Sequence, residues 1–215
     1  TPLEKCKKPT DGLTLFYTDL DRNKIDVQVI PKMGRAGVDS NAVFIDNLKV
    51  PVEDRIGNEG DGWKCLLHGL NPERVLIASE AVGLGQVALE RAARYAKERV
   101  VFDRSIGKNQ GIQHPLAVNW MELEAAQLMV QKAASLYDRG ESCGAEANSA
   151  KYLAAEAGFK ACQQAVRTHG GMGYSKEFYV ERYLREVMIP VIAPVSQEMI
   201  KSFIAERVLD QDKSY

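Results

Sequence analysis

The sequence predicts an α+β fold in which short antiparallel strands come first and a helical bundle follows. The main observation is a change of hydrophobic period near residue 57, from short runs rich in β-branched and aromatic residues to long runs with helical spacing. A glycine-rich stretch over residues 57–62 accompanies that change. We therefore predict two domains, with residues 1–57 as the C-terminal part of a β-domain and residues 58–215 as a helical bundle domain.

Three strands are predicted before residue 57, at residues 13–18, 27–30 and 42–45. Each is short and apolar, and polar or glycine-containing turns separate it from the next. Three strands alone would leave a sheet edge open to pairing, so we expect strands from outside this sequence to complete the sheet. The chain is accordingly expected to be a fragment, or the ordered part, of a larger subunit.

Helices are predicted after residue 57, at about residues 62–70, 72–100, 111–138, 145–169, 176–187 and 195–209. The longest is predicted to begin with Asn71 as its N-cap and Pro72 at its first position. This start would place Glu73 in the first turn, where the helix dipole favours a carboxylate. Small and apolar residues occupy two faces of the same helix, so we expect it to lie inside the bundle. These residues are Ile77, Ala81, Leu84 and Ala88 on one face and Val75, Val82 and Leu89 on the other.

Composition excludes several classes of partner. A net charge of -1 gives no electrostatic reason to expect nucleic acid or an anionic membrane surface. No uninterrupted apolar run approaches the roughly 18 to 20 residues of a membrane span. The four cysteines are scattered without a C-x-x-C pair, so neither a zinc site nor a redox dithiol is expected. We therefore expect no nucleic acid, membrane or metal partner.

Several motifs at the ends of the predicted helices have ordinary explanations. Arg99 lies at a helix end, where arginines are usually solvated, and Phe102 is of a type that usually packs in a core. The glycines that follow His169 most often mark a helix C-cap and a tight turn, and a single histidine is more often packed than catalytic. Each of these explanations stays open when the motif is taken by itself.

Taken together and in order, these segments resemble the C-terminal half of the acyl-CoA dehydrogenase family, from residues 46–51 to the last helix. The resemblance implies the end of an antiparallel β-domain followed by an up-and-down four-helix bundle. It also implies FAD as cofactor, an acyl-CoA substrate, an electron-transfer flavoprotein as electron acceptor, and a homotetramer built as a dimer of dimers. The expected location is the cytoplasm of a bacterium or the mitochondrial matrix.

The resemblance also assigns cofactor-binding residues, in two groups. One group would reach FAD across a dimer interface, and it comprises Arg99, Phe102 and Gln110 with the turn formed by Arg167, Thr168, His169, Gly170 and Gly171. The second group would contact FAD within or beside the active site, and it comprises Ser196, Gln197 and Glu198.

The catalytic base is where this sequence departs from the pattern of many family members. Those members carry a glutamate in a Tyr-Glu-Gly-Thr motif, whereas Pro194, or Ala193 in a match shifted by one, stands at that position here. The isovaleryl-CoA branch and one long-chain branch of the family instead place the glutamate in a Leu-x-x-Glu-Arg motif that residues 70–74 fit. Glu73 is therefore the expected base.

The same resemblance implies a reaction in which Glu73 removes the α-proton of an acyl-CoA thioester while the β-hydride passes to flavin N5, giving a trans-2-enoyl-CoA. Asn71 and Arg74 are expected to bind substrate, and Val195 can donate a backbone N–H that Pro194 lacks. Two alternatives remain, a non-catalytic assembly or binding module of the same fold and a flavin oxidase built on it.

Overall fold

The computed structural model describes residues 6–214. Two compact units divide the chain, one ending at Leu70 and the other beginning at Asn71. The last strand of the first unit ends at Ile56 and a long helix begins at Gly62, close to the predicted domain boundary at residue 57. The division between the two compact units lies further along, inside that helix. The domain boundary itself stays a prediction.

The first unit contains four short strands, β1 (Leu15–Phe16), β2 (Ile25–Val29), β3 (Asn41–Ile45) and β4 (Arg55–Ile56). Strands β2 and β3 pair antiparallel, with Ile25 opposite Ile45. Strand β1 pairs instead with β4, which was not predicted. A two-residue strand is too short to show an alternating hydrophobic pattern, so the β1–β4 pairing could not be identified from sequence.

Apolar side chains on these strands are largely uncovered within the described residues. Ile25 is buried, but Phe44 and Ile45 are 56% and 63% exposed. Exposed apolar residues of this kind on paired strands are typical of a sheet that packs against further polypeptide. The observation supports the expectation that other strands complete the β-domain.

One long helix, α1 (Gly62–Glu98), runs through the position where two helices were predicted. Pro72 lies inside it, so the predictions that Asn71 is an N-cap and that Glu73 occupies a first turn are wrong. Proline removes one backbone hydrogen bond, and the segments on both sides of Pro72 are long enough to keep their own helical bonds. Asn71 instead accepts a side-chain hydrogen bond from Arg74, at 2.9 Å from Oδ1 to Nη1.

The second unit is a helical bundle, and the α+β fold class is confirmed. A hairpin of β5 (Val100–Val101) and β6 (Arg104–Ser105) separates α1 from the next helix. The remaining helices are α2 (Gln110–Asp138), α3 (Gly144–His169), α4 (Gly171–Tyr174), α5 (Val180–Glu186), α6 (Met188–Ile192) and α7 (Gln197–Arg207). Helices α5 and α7 lie within the helices predicted at residues 176–187 and 195–209, whereas α6 between them was not predicted. All three pack against α3.

Helices α2 and α3 run antiparallel, as their ion pairs show. Lys160 pairs with Glu122, while Glu146, nearer the start of α3, pairs with Lys132, nearer the end of α2. The shared core of α1, α2 and α3 consists mainly of alanines, which let helices approach closely. Its buried members are Ala78, Ala81, Val82, Leu89, Leu123, Ala126, Val130, Ala133, Ala150, Ala154, Ala157 and Ala161.

By length and composition alone, Val180–Arg207 is apolar enough to cross a membrane. In the structure this stretch consists of the three separate helices α5, α6 and α7. Core helices of many water-soluble proteins pass the same test of composition, so it is weak evidence for a membrane span. The absence of a membrane partner stays a prediction.

Candidate functional site

The predicted site residues form two clusters at different ends of the second unit. Glu73 and Arg99 are joined by α1, which at 1.5 Å per residue separates them by about 39 Å along the helix axis. Arg99 lies beside the turn at residues 167–171. Glu73 lies beside Arg74, and Arg74 interacts electrostatically with Lys151, which also interacts with Glu198 of α7. One chain therefore does not bring all the predicted residues into a single site.

The first cluster surrounds an open groove of about 390 Å³, here called the arginine groove. Two exposed guanidinium groups, those of Arg99 and Arg167, lie among its walls. The lining residues are Tyr95, Arg99, Val101, Ile106, Arg167, Thr168, His169, Gly170, Gly171 and Met172. Arg99 and all five residues of the predicted turn thus share one cavity, although they are almost 70 positions apart in sequence.

Glycines shape the turn that follows α3. Gly170 adopts a positive φ of 60° and caps the helix, and its N–H donates to the carbonyl of Arg167 at 3.2 Å. A Cβ atom at Gly173 would lie 2.3 Å from the carbonyl oxygen of Val166, so only glycine fits there. At Gly170 and Gly171, by contrast, the space a Cβ would occupy is open. The backbone of the turn is therefore accessible from the arginine groove.

His169 is a packed side chain rather than a free acid–base group. Its ring is buried and stacks on Tyr95, with centroids 4.3 Å apart, and Nδ1 donates to the Ala165 carbonyl at 2.8 Å. Burial lowers the pKa of His169, the bond to Ala165 partly opposes this, and the charge of Arg91 lowers it further. The neutral ring serves as part of the groove wall.

Phe102 and Gln110 lie outside the lining of the arginine groove. Phe102 and Asp103 both have positive φ angles and form the turn of the β5–β6 hairpin, which leaves the Phe102 ring 93% exposed. The ordinary expectation that Phe102 packs in the core is therefore wrong. Gln110 is the exposed first residue of α2. Their contact with FAD stays a prediction.

At the other end, Glu73 is exposed while its neighbour Arg74 is partly buried. Desolvation lowers the pKa of Arg74, and the nearby Glu73 and Cys143 act in the opposite direction. Nη1 of Arg74 donates to Asn71, but its Nε is buried and has no protein partner. A buried, unpaired N–H is unfavourable, so this donor suits a polar ligand.

The residues at the start of α7 have distinct environments. Ser196 is the N-cap, and its hydroxyl accepts from the Met199 N–H at 3.3 Å. Gln197 is buried, and its Nε2 has no protein partner, whereas Glu198 is exposed near Lys201. The amide of Gln197 is therefore a second buried donor that lacks a partner.

Sequence reasoning missed Lys151, which is fully buried on α3. Its Nζ donates to the carbonyl of Val195 at 2.7 Å, and it interacts electrostatically with Glu198 and Arg74. Burial lowers the pKa of Lys151, Glu198 opposes this, and Arg74 reinforces it. A signal was present in the sequence, because position 151 falls within the apolar helical repeat formed by residues 147, 150, 154 and 158.

The residues fit the cofactor implied by the resemblance. Two exposed arginines beside an accessible backbone suit a diphosphate, because guanidinium groups bind phosphate oxygens in a fork geometry. The unpaired buried donors Arg74 Nε and Gln197 Nε2 suit polar acceptor groups. Among residues 6–214, no three histidine, cysteine or acidic side chains converge to hold a metal ion.

Comparison with known proteins places these features in context. Residues 60–209 match the family model described as acyl-CoA dehydrogenase, C-terminal domain. The chain is 45% identical over 209 residues to the acyl-CoA dehydrogenase FadE12 of Mycobacterium tuberculosis, covering 96% of this chain and 51% of that protein. It is 34% identical over 203 residues to the caffeyl-CoA reductase-Etf complex subunit CarC of Acetobacterium woodii, covering 94% and 54%.

The fold is also found among solved structures. Butyryl-CoA dehydrogenase from Megasphaera elsdenii matches with a TM-score of 0.90 at 30% identity, over 95% of this chain and 54% of that one. The chain spans about half the length of the relatives that it matches.

Proposed function

This chain belongs to the acyl-CoA dehydrogenase family, and we propose that it is the C-terminal half of a subunit that oxidises an acyl-CoA thioester to a trans-2-enoyl-CoA with FAD. The family match confirms the resemblance drawn from the ordered motifs. The observation that carries the proposal is the arginine groove, in which Arg99 and the 167–171 turn form one cavity suited to a diphosphate.

The separation of the two clusters supports an assembly of several subunits. Because about 39 Å of helix lies between Glu73 and Arg99, the arginine groove and the Glu73 end of one chain would serve different cofactor molecules. In the proposed homotetramer, a dimer of dimers, the groove of one subunit and residues 196–198 of another would hold the same FAD. Phe102, exposed on its hairpin, would then contact the neighbouring subunit's cofactor.

In the proposed reaction, Glu73 takes the α-proton of the thioester as a general base. The Val195 N–H donates a hydrogen bond to the thioester carbonyl oxygen, where negative charge develops as the proton leaves. FAD, when bound, supplies the acceptor for the β-hydrogen, which departs with its electron pair. The substrate thus loses one proton and one hydride, and no other atoms are exchanged.

Within the part of the chain that the structure describes, Glu73 is not shielded from water. A carboxylate becomes a better base when it is withdrawn from water, and Glu73 is exposed in the described residues. The shielding would come from the acyl-CoA, the cofactor and the rest of the proposed larger subunit. An electron-transfer flavoprotein is the proposed electron acceptor, in keeping with a relative named as a subunit of an Etf complex.

The proposal is tested by adding a panel of acyl-CoAs anaerobically to the full-length flavoprotein and following the flavin absorbance. We expect bleaching by at least one acyl-CoA, and a loss of about 10³-fold or more in reduction rate for Glu73→Gln. Glu90→Gln, on an exposed position of the same helix, is the control and should reduce normally. Normal reduction in Glu73→Gln would refute the base assignment, and rapid reoxidation by oxygen would favour an oxidase.

A further inference from the structure

Lys151 occupies a position at which a charged group is costly. Its side chain is fully buried, and the surrounding positions on the same face of α3 are alanines or glycine, among them Ala147, Ala154 and Gly158. At a buried position, an apolar residue of similar volume usually makes the folded protein at least as stable as a charged residue does. Stability alone therefore gives no reason for a lysine at this position.

The ammonium group holds one specific atom, the carbonyl oxygen of Val195. The distance of 2.7 Å between Nζ and that oxygen is typical of a charge-assisted hydrogen bond, and it joins residues 44 positions apart. The charged groups that act on Lys151 are Glu198 on α7 and Arg74 on α1, one attractive and one repulsive. Neither forms an ion pair with Lys151 among the described residues, whereas the Val195 carbonyl oxygen lies within hydrogen-bond distance of Nζ.

Val195 belongs to the four-residue connection between α6 and α7. Its carbonyl and the Ser196 N–H lie in one rigid peptide plane, so fixing the carbonyl fixes that plane. The Val195 N–H is on the other side of the same α-carbon, so only the two backbone rotations of Val195 separate its direction from that of the carbonyl. Holding the carbonyl therefore also limits the direction of the Val195 N–H.

We propose that Lys151 is a positioning residue for the dehydrogenation, since by holding the Val195 carbonyl it aims the Val195 N–H at the thioester oxygen of the substrate. This inference rests on the proposed function. Lys151 does not contact the reacting atoms itself. Its loss should slow removal of the α-proton, which depends on the aim of the N–H, far more than it weakens binding of the acyl-CoA.

Three variants separate this role from a purely structural one. Lys151→Met keeps an apolar side chain of similar length and removes the donor. Lys151→Gln keeps an uncharged donor one atom shorter. Lys160→Met is the matched control, because Lys160 lies on the same helix but pairs with Glu122 at the surface, at 2.8 Å.

The first measurement needs neither substrate nor turnover. Hydrogen exchange, followed by mass spectrometry on the full-length protein, reports the mobility of residues 193–198. We expect Lys151→Met to speed exchange in this segment by about tenfold, with no change in Lys160→Met. Unchanged exchange in Lys151→Met would show that Lys151 does not hold residues 193–198 in place, and it would overturn the inference whatever the reduction rate.

The second measurement is anaerobic stopped-flow reduction of the flavin by an acyl-CoA that bleaches the wild-type protein. For Lys151→Met we expect the reduction rate constant to fall about 10- to 100-fold, with the acyl-CoA dissociation constant within about threefold of wild type. Lys151→Gln should recover part of the rate. Thermal unfolding of Lys151→Met should occur at or above the wild-type temperature, because a buried charge has been removed.

The outcomes distinguish the two proposals. Faster exchange with an unchanged reduction rate in Lys151→Met would make Lys151 structural only and leave the proposed function standing. Equal losses in rate, substrate binding and thermal stability would also make it structural. If no acyl-CoA bleaches the wild-type flavoprotein, the proposed function fails, and the role of Lys151 in it fails as well.

Discussion

Gly158 offers a direct test of how closely α1 and α3 approach. A Cβ atom at position 158 would lie 2.4 Å from the carbonyl oxygen of Ala81 and 3.3 Å from a methyl carbon of Val187. The first contact is with helix backbone, which cannot move aside as a side chain can. Gly158→Ala should therefore force the two helices apart.

The expected size of the effect follows from two opposing contributions. Overpacking at a rigid contact costs about 3 kcal/mol, and the higher helix propensity of alanine offsets about 1 kcal/mol of this. The net loss of about 2 kcal/mol corresponds to a fall of about 4–8 °C in Tm for a chain of this size. Gly83, on the exposed side of α1, has no atom within 4 Å of its Cβ position. Gly83→Ala should therefore raise Tm by about 2–4 °C through propensity alone.

The assay is thermal unfolding followed by circular dichroism at one protein concentration, with the two variants compared in parallel. Opposite signs for Gly158→Ala and Gly83→Ala are the expected result. A Tm for Gly158→Ala equal to or above that of the wild type would show that α1 and α3 do not approach at this point, and the core packing described above would be wrong.

Two further predictions concern the arginine groove. Arg99→Ala should weaken FAD binding about 10- to 150-fold, which corresponds to the loss of one charge-assisted hydrogen bond of about 1.5–3 kcal/mol. Arg139→Ala is the control and should leave FAD binding unchanged, because Arg139 forms an exposed pair with Glu141. Equal FAD dissociation constants for the two variants, measured by fluorescence, would contradict the assignment. Because burial lowers the pKa of His169 in the folded chain, the unfolded chain binds a proton below pH of about 6.5 that the folded chain does not, so stability should fall as the pH drops through that value. In urea titrations from pH 7.5 to 5, the free energy of unfolding of His169→Phe should decrease less with falling pH than that of the wild type. The same pH dependence in both proteins would count against a buried, neutral imidazole.

Local signals explain which elements could be predicted from the sequence. The bounds of α2 and α3 follow closely from helical periodicity, a glycine-containing connection and the glycines after His169. Each of these signals lies within a few residues of the feature that it predicts. The same is true of the ordered motifs that indicated the family, since glycines, prolines and charged residues at helix ends are read along the chain.

Two predictions from local sequence signals were wrong because neighbouring elements of the fold determined the conformation instead. Asn71 and Pro72 form a good helix start, yet α1 continues through them, because proline removes one backbone hydrogen bond and the residues on both sides keep theirs. Phe102 looked like a core residue, but the two positive φ angles at the hairpin turn direct it into solvent. In both cases local preference was overruled by the geometry of neighbouring elements.

The sequence by itself determined the change from strands to helices near residue 57, the family, and the residue types suited to an acyl-CoA and a flavin. Only the tertiary structure decided which of those residues share a site. It brought Arg99 to the 167–171 turn, kept both away from Glu73, and joined Lys151 to Val195. The physical reason is that helical periodicity is a property of a few adjacent residues, whereas contacts between distant segments depend on how close-packed helices fit together over the whole core.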